Sequence, residues 1–202
     1  MKKLEIIVEE ESMQAALESL MPKILEGRAQ WKSIKMRNKM DLIKKLPDRL
    51  RAYKRRINDG ENLKIVVLLD QDKDDCVTLK NKLEQIAREA GLSTKSYHPG
   101  QDDFQVVNRI VVEELEAWFM GDVEALKKAF SSLNRAKFPS HFNNPDQGGT
   151  WERLYRFLKK QGIYRSSYPK VKAARKIAPH IDPHRNRSRS FHAFCRGVEA
   201  CL

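Results

Sequence analysis

The stretch that decides the fold is Leu63-Lys64-Ile65-Val66-Val67-Leu68-Leu69-Asp70-Gln71-Asp72. Its first seven residues are almost continuously aliphatic, which is typical of a central strand covered on both faces of a parallel sheet. The polar run after it predicts a loop, and the apolar spacing beyond that predicts a helix. We therefore expect a buried strand that delivers Asp70 and Asp72 into a loop at its carboxyl end.

A similar strand and helix precede this stretch. Residues 4–8 form a short apolar run that Glu9 follows directly, and apolar residues spaced by three and four then predict a helix with Ser12 as its N-cap. A basic helix is expected over residues 41–57, with Pro47 breaking or restarting it. Residues 105–112 are again rich in β-formers. Strands that alternate with helices predict an α/β fold with a largely parallel sheet.

The strand signal ends at about residue 120. Beyond it, helices are expected over residues 150–160, 169–178 and 190–202. The predicted organisation is an α/β core over residues 1–120 and a basic, mostly helical extension over residues 121–202 that packs on the core.

Charge is unevenly distributed along the 202 residues, whose net charge is +12. The balance is +6 over residues 1–60, −5 over 61–120 and +11 over 121–202. An acidic middle between basic ends suits a polyanion held around a cation-binding carboxylate cluster, although ordinary solubility is the alternative explanation. No apolar run is long enough for a membrane span or a signal peptide, so we expect a cytoplasmic protein with no membrane partner.

Carboxylates follow each predicted strand. Because parallel strands end at one edge, and because i and i+2 of an extended segment point the same way, Asp70 and Asp72 should converge with Glu9 on a metal ion. Hard oxygen ligands favour Mg²⁺ or Mn²⁺. The alternative for Asp72 is capping of the next helix, a role we expect of Asp74 or Asp75. One or more of three glutamates after the third strand should join the site; these are Glu113, Glu114 and Glu116.

Basic residues near the C-terminus are candidates for phosphate binding. Arg187-Ser188-Arg189 stands just before a predicted helix, where arginine side chains and helical N–H groups both suit phosphate. Lys170 lies on the preceding helix. The alternative is a solvated basic face; next to a carboxylate–metal site, contact with a nucleic-acid backbone is the better interpretation.

Several motifs together carry a family resemblance. Ile7-Val8-Glu9 before a helix, and the segment from Val66 to Cys76, resemble the Toprim core of topoisomerases, primases and overcoming-lysogenization-defect nucleases. The chain is also similar to the bacterial family catalogued as domain of unknown function 4276. The segments that match it are Val107-Asn108-Arg109-Ile110, Glu113-Glu114-Leu115-Glu116-Ala117-Trp118-Phe119-Met120-Gly121-Asp122, Gly148-Gly149-Thr150-Trp151-Glu152, and residues 170–191.

This resemblance implies a Toprim-like magnesium site formed by Glu9, Asp70 and Asp72. The chain departs from the usual Toprim pattern at Glu10, where a glycine often stands. Family members are often encoded beside ATPases in defence-type loci, which implies an ATPase partner. The leading hypothesis is a magnesium-dependent nuclease acting on DNA or RNA, with Glu113 as a further metal ligand and Glu116 and Lys170 as further catalytic residues.

Two other functions are compatible with the sequence. The protein could bind nucleic acid without cleaving it, or act as a regulatory partner subunit of an ATPase. Strand transfer of the topoisomerase kind needs a nucleophile such as tyrosine, and none of the five tyrosines has a distinguishing sequence context.

Overall fold

The computed structural model describes residues 2–97 and 103–202. Four parallel strands form one sheet in the order β2-β1-β3-β4. The strands are β1 (Lys3–Val8), β2 (Gln30–Lys35), β3 (Leu63–Asp70) and β4 (Val106–Val111). The helices are α1 (Glu11–Leu25), α2 (Lys39–Asn58), α3 (Cys76–Glu89), α4 (Glu116–Met120), α5 (Val123–Ala129), α6 (Thr150–Lys160), α7 (Lys170–Ile177) and α8 (Arg189–Glu199). No helix among these described residues is long and apolar enough to span a membrane.

The chain reverses its direction across the sheet at the boundary between β1 and β3. From β1 it crosses outward to β2 through α1, and α2 then returns it to the other side of β1. In open parallel sheets, such a reversal leaves a crevice beyond the carboxyl ends of the two strands, and ligands bind there. The first candidate carboxylates, Glu9 and Asp70, flank this crevice.

Both faces of the sheet are covered, as the aliphatic run in β3 predicts. Val66 and Leu68 belong to a core shared with α1, α7 and α8, whereas Val67 and Leu69 belong to a second core shared with α2 and α3. The alternation follows from the pleat, which turns successive side chains to opposite faces. The prediction of an α/β fold with a parallel sheet is confirmed.

The segment after residue 120 packs on the α1 face of the sheet through α7 and α8. Within this segment, Asp122 at the start of α5 is joined to the loop before α8, because its fully buried carboxylate accepts two hydrogen bonds of 2.8 Å from the guanidinium of Arg185. The backbone N–H groups of Ala125 and Asp182 donate to the same carboxylate. A buried charge is tolerated here because four donors satisfy it.

Two local predictions are wrong. Pro47 lies inside a continuous α2, because a buried stripe of Leu42, Leu46 and Leu50 holds the helix together across the missing backbone donor. Ser12 is not the N-cap of α1: Glu10 takes that position, and the hydroxyl of Ser12 donates to the Glu10 carboxylate instead. By contrast, Asp75 caps α3 by accepting from the N–H of Thr78, as predicted.

A buried glutamate anchors the amino-terminal end of the sheet. Glu5 is 3% exposed, accepts a 2.6 Å hydrogen bond from Tyr53, and pairs with Arg56 at 2.8 Å and Lys32 at 3.0 Å. Burial alone would raise the pKa of Glu5, but the hydrogen bonds from these three side chains outweigh burial and lower it. The ionised carboxylate is therefore the form that the fold stabilises.

The lowered pKa of Glu5 predicts a stability difference that depends on pH. Glu5→Gln should destabilise the protein above the ordinary glutamate pKa of about 4.3, where the wild-type carboxylate is ionised and paired. The difference should shrink as the pH falls through the lowered folded-state pKa, because Glu5 is then protonated in both states. Urea unfolding of both proteins at pH 7, 5, 4 and 3 measures this, and a constant difference across that range would contradict it.

Candidate functional site

Glu9 and Asp70 meet at the carboxyl-end edge of the sheet. Val8, the last residue of β1, pairs with Leu68, and β3 ends two residues further on at Asp70, so Glu9 lies beside the end of β3. The Oε1 atom of Glu9 accepts a 2.8 Å hydrogen bond from the backbone N–H of Asp70. Glu9 is 7% exposed and Asp70 is 3% exposed, so two carboxyl groups are held together out of water.

The surroundings of this pair are unfavourable for two bare negative charges. Burial raises the pKa of Glu9 to about 7, against the opposing effects of the Asp70 N–H and Lys39. Burial also raises the pKa of Asp70 well above its ordinary value, and the charge of Glu9 raises it further. The Oδ1 atom of Asp70 is buried without a hydrogen-bond partner. Such an arrangement needs a proton or a cation, and the all-oxygen donor set fits a hard divalent ion.

Asp72 lies close to the pair without converging on it. Its negative charge raises the pKa of both Glu9 and Asp70, but its own Oδ2 atom lies 2.6 Å from Nζ of Lys39. The convergence predicted from i and i+2 fails because Asp72 has φ +52°, in the left-handed region, and so leaves the extended conformation. Within residues 2–97 and 103–202, no three Asp, Glu, His or Cys side chains form a group that could hold a metal ion.

Lys39 is a site residue that sequence reasoning missed. Its ammonium group lies 2.6 Å from Asp72 and 2.9 Å from Asp74, and donates to the carbonyl oxygen of Gln71 at 3.0 Å. Burial lowers the pKa of Lys39, but the hydrogen bonds to the two aspartates outweigh burial and raise it. A signal was present in the sequence, because Lys39 begins the helix that follows β2 and therefore lies at the same edge.

Glu113 and Glu114 accept hydrogen bonds from residues at the start of α6. The Oε2 atom of Glu113 accepts from the N–H of Gly149 at 3.0 Å, and that of Glu114 accepts from the N–H of Trp151 and the hydroxyl of Thr150 at 3.2 Å each. Both carboxylates lie at a helix N-terminus, where the unpaired N–H groups favour negative charge. Glu113 is thus occupied by a helix-capping contact rather than turned toward Glu9 and Asp70.

Glu116 is the buried member of this glutamate group. It lies in the first turn of α4, is 1% exposed, and its Oε1 atom has no hydrogen-bond partner. Burial raises the pKa of Glu116 to about 7, with the charge of Lys170 acting in the opposite direction. Burial and the nearby Glu116 carboxylate likewise raise the pKa of Tyr168 well above its ordinary value.

Lys170 supplies a positive charge at the carboxyl-end edge of the sheet. This edge is called the acidic edge below, because it carries Glu9, Glu10, Asp70, Asp72, Glu114 and Glu116. Its Nζ atom lies 3.9 Å from a carboxylate oxygen of Glu10 and 3.9 Å from one of Glu114. Burial lowers the pKa of Lys170, but the charges of Glu116, Glu10 and Glu114 outweigh burial and raise it. Of the five residues predicted to be catalytic, Glu9, Asp70, Glu116 and Lys170 lie at this edge and interact through their charges, whereas Asp72 is nearby but paired with Lys39. Glu10 and Lys39 are further charged residues at the same edge.

The predicted phosphate-binding segment has internal partners. Ser188 is fully buried and caps α8, and its hydroxyl donates to Asp146 at 2.7 Å. The other oxygen of Asp146 accepts from the N–H of Arg189 at 2.6 Å. Arg187 donates to the side chain of Asn143 at 2.7 Å. Asp146 thus occupies the place at this helix N-terminus that was predicted for a phosphate, while the side chains of Arg187 and Arg189 are exposed.

Comparison with known proteins gives a family for the chain. No curated protein matches the sequence. The fold is similar to the C-terminal region of the OLD protein of Xanthomonas campestris pv. campestris, at 14% identity and a TM-score of 0.49, covering 100% of this chain and 96% of that one. The corresponding region of the Burkholderia pseudomallei OLD protein gives 15% identity and a TM-score of 0.45, covering 98% and 96%. The family model described as "Domain of unknown function (DUF4276)" matches residues 8–199, so the chain belongs to that family.

Proposed function

We propose that the protein is a divalent-metal-dependent nuclease that cleaves phosphodiester bonds of DNA or RNA. The observation that carries this proposal is the buried Glu9–Asp70 pair, which lies in the crevice between β1 and β3 and leaves an oxygen of Asp70 without a partner. Carboxyl groups whose pKa values are raised by burial and by each other's charge are typical of functional sites.

Glu9 and Asp70 would hold the ion, and Asp72 would join them only by releasing Lys39. When bound, Mg²⁺ or Mn²⁺ supplies Lewis-acid chemistry, polarising a phosphoryl oxygen and lowering the pKa of bound water. Lys170 contributes a fixed positive charge that reduces the repulsion between a phosphodiester and the acidic edge. Glu116 acts as a positioning residue, because its charge favours the ammonium form of Lys170.

The basic surface would hold the rest of the polyanion. Arg189 is exposed and its side chain extends from the start of α8, so it is suited to a flanking phosphate. Arg187 could contact a phosphate once its hydrogen bond to the side chain of Asn143 is broken. The family resemblance adds a proposed ATPase partner and a setting in bacterial defence.

A test of this function is cleavage by the purified protein as a function of the metal. We expect single- or double-stranded DNA or RNA to be cut with Mg²⁺ or Mn²⁺ and to stay intact with excess EDTA, because the divalent ion supplies the Lewis-acid chemistry that cleavage requires. Labelled substrates on a denaturing gel report this directly. Cleavage that persists in EDTA after exhaustive metal removal would contradict a metal-dependent site.

A non-catalytic role is the second candidate. It is favoured by Lys39, which already supplies a positive charge to Asp72 without any metal. In that case the protein binds nucleic acid, or regulates an ATPase, and the acidic edge is structural. Salt-sensitive binding that EDTA does not change, with no cleavage under any divalent metal, would favour this role over the nuclease.

A further inference from the structure

We propose that an aromatic groove next to the acidic edge binds single-stranded nucleic acid, with unstacked bases lying on Trp151 and Tyr155. The inference deepens the proposed function, because it rests on that function for the identity of the polymer and assigns the strand state that the site accepts. The groove is lined by Trp151, Tyr155, Ser166, Ser167, Tyr168 and Lys170, and has a volume of about 670 Å³.

The aromatic rings of the groove form a continuous ladder. Trp151 and Tyr155 are one helical turn apart on α6, and their rings are 6.4 Å apart at an interplanar angle of 15°. Tyr155 and Tyr168 follow at 5.9 Å and 41°. Trp151 and Tyr155 are only partly buried, unlike Trp118, which is fully enclosed in the core. Partly exposed, near-parallel rings at this spacing can receive bases, whose flat faces stack without regard to sequence.

Two further cavities adjoin the groove and share lining residues with it. Trp151 also lines a smaller cavity of about 310 Å³ whose wall includes Asp72 and Glu114, so one end of the ladder reaches the candidate site. Tyr168 and Lys170 also line a cavity of about 680 Å³ that extends to Lys172 and Arg175. A strand lying along the aromatic rings would therefore pass from the basic end toward the acidic edge.

Charge along the groove favours a nucleic acid over an apolar peptide. Lys172 and Arg175 are exposed on α7, where Arg175 is 62% exposed with Glu11 at 3.8 Å. Lys159 lies 5.7 Å from the centre of the Tyr155 ring. Cations beside stacking faces are the combination that single-strand binding surfaces use. A duplex buries its base faces between neighbouring pairs and cannot use the ladder.

The test measures fluorescence anisotropy of a labelled 15-nucleotide oligo(dT) and of a 15-base-pair duplex, in EDTA so that no cleavage occurs. We expect tighter binding of the single strand. Trp151→Ala should weaken binding of the single strand about 5- to 150-fold, the effect of losing one base stack, and change duplex binding less than about twofold. Trp151→Phe should retain most of the affinity. Tyr97→Ala, at an exposed aromatic outside the groove, is the matched control.

The contribution of Lys172 and Arg175, the basic end of the groove, is tested by the salt dependence of single-strand binding. Lys172→Ala with Arg175→Ala should reduce the slope of log affinity against log salt by about 1.4, since each single-strand phosphate contact contributes about 0.7. Lys44→Ala with Lys82→Ala removes the same charge from exposed positions on α2 and α3 and should leave the slope unchanged. Equal slopes for the two double variants would overturn the assignment of the basic end.

The outcomes separate the groove from the nuclease. If Trp151→Ala is folded and binds the oligonucleotide as the wild type does, the groove assignment is wrong, whether or not metal-dependent cleavage occurs. If the groove variants lose single-strand binding but no divalent metal supports cleavage by the wild type, the groove stands and the nuclease proposal fails. Preference for the duplex over the single strand would also overturn the groove assignment.

Discussion

Asp70→Asn is expected to reduce metal-dependent cleavage by about a thousandfold or more, equivalent to ~4 kcal/mol of transition-state stabilisation. Asparagine has nearly the shape of aspartate but no negative charge. The backbone N–H of residue 70 still donates to Glu9 in the variant, so the edge of the sheet keeps its geometry while the pair loses its capacity to hold a divalent ion. Initial cleavage rates at saturating Mg²⁺ measure the effect.

Asp59→Asn is the matched control for this experiment. It makes the same chemical change at an exposed aspartate just beyond α2, before β3 begins and so at the opposite edge of the sheet from Asp70, and should cleave at the wild-type rate. An Asp70→Asn protein that cleaves as fast as the wild type would exclude Asp70 from the metal site, and with it the mechanism proposed for the Glu9–Asp70 pair.

The same substitution is expected to stabilise the fold when no metal is present. Asp70 is buried beside Glu9 with one oxygen unpartnered, so removing its charge removes both a desolvation cost and a like-charge repulsion. We expect the free energy of unfolding in EDTA to rise by about 1–2 kcal/mol, within the range of single stabilising substitutions. Urea unfolding of Asp70→Asn and the wild type measures the difference.

Added metal should reverse this order of stability, so that the wild type becomes more stable than Asp70→Asn. An ion that binds the native wild type and not the unfolded chain contributes about 2.7 kcal/mol at a hundred times its dissociation constant, whereas the variant should gain little. A structural Asp70 predicts the opposite behaviour in EDTA, namely destabilisation by Asp70→Asn. A variant that is less stable than the wild type without metal, and equally responsive to Mg²⁺, would contradict a functional role for this carboxylate.

The central part of the fold and site could be predicted because it depends on local pattern. A doubly covered strand needs an aliphatic run, and the carboxyl ends of parallel strands share an edge, so Glu9 and Asp70 followed from β1 and β3 alone. Lys39 follows the same rule, because it begins the helix after β2, but a lone lysine at a helix start has no distinguishing pattern in the sequence. The helical nature of the segment after residue 120 likewise followed from the loss of strand signal.

What could not be predicted depends on contacts between distant segments. Asp72 turns out of the extended conformation, and its N–H donates to the carbonyl oxygen of Glu113, itself at φ +62°. Glu113 is engaged by Gly149, and Ser188 by Asp146, across separations of 36 and 42 residues. Spacing in one sequence carries no information on such partners. Non-glycine residues in the left-handed region are uncommon, so the local sequence pattern does not predict the turns at Asp72 and Glu113.

The most direct test of a metal held by the Glu9–Asp70 pair is anomalous scattering from a crystal of the protein soaked in MnCl₂, measured at a wavelength where manganese scatters strongly. We expect one peak within coordination distance of carboxylate oxygens of both Glu9 and Asp70, and no peak there in Asp70→Asn. A peak at another place, or an empty cleft between β1 and β3 at saturating Mn²⁺, would contradict the metal site on which the proposed nuclease depends.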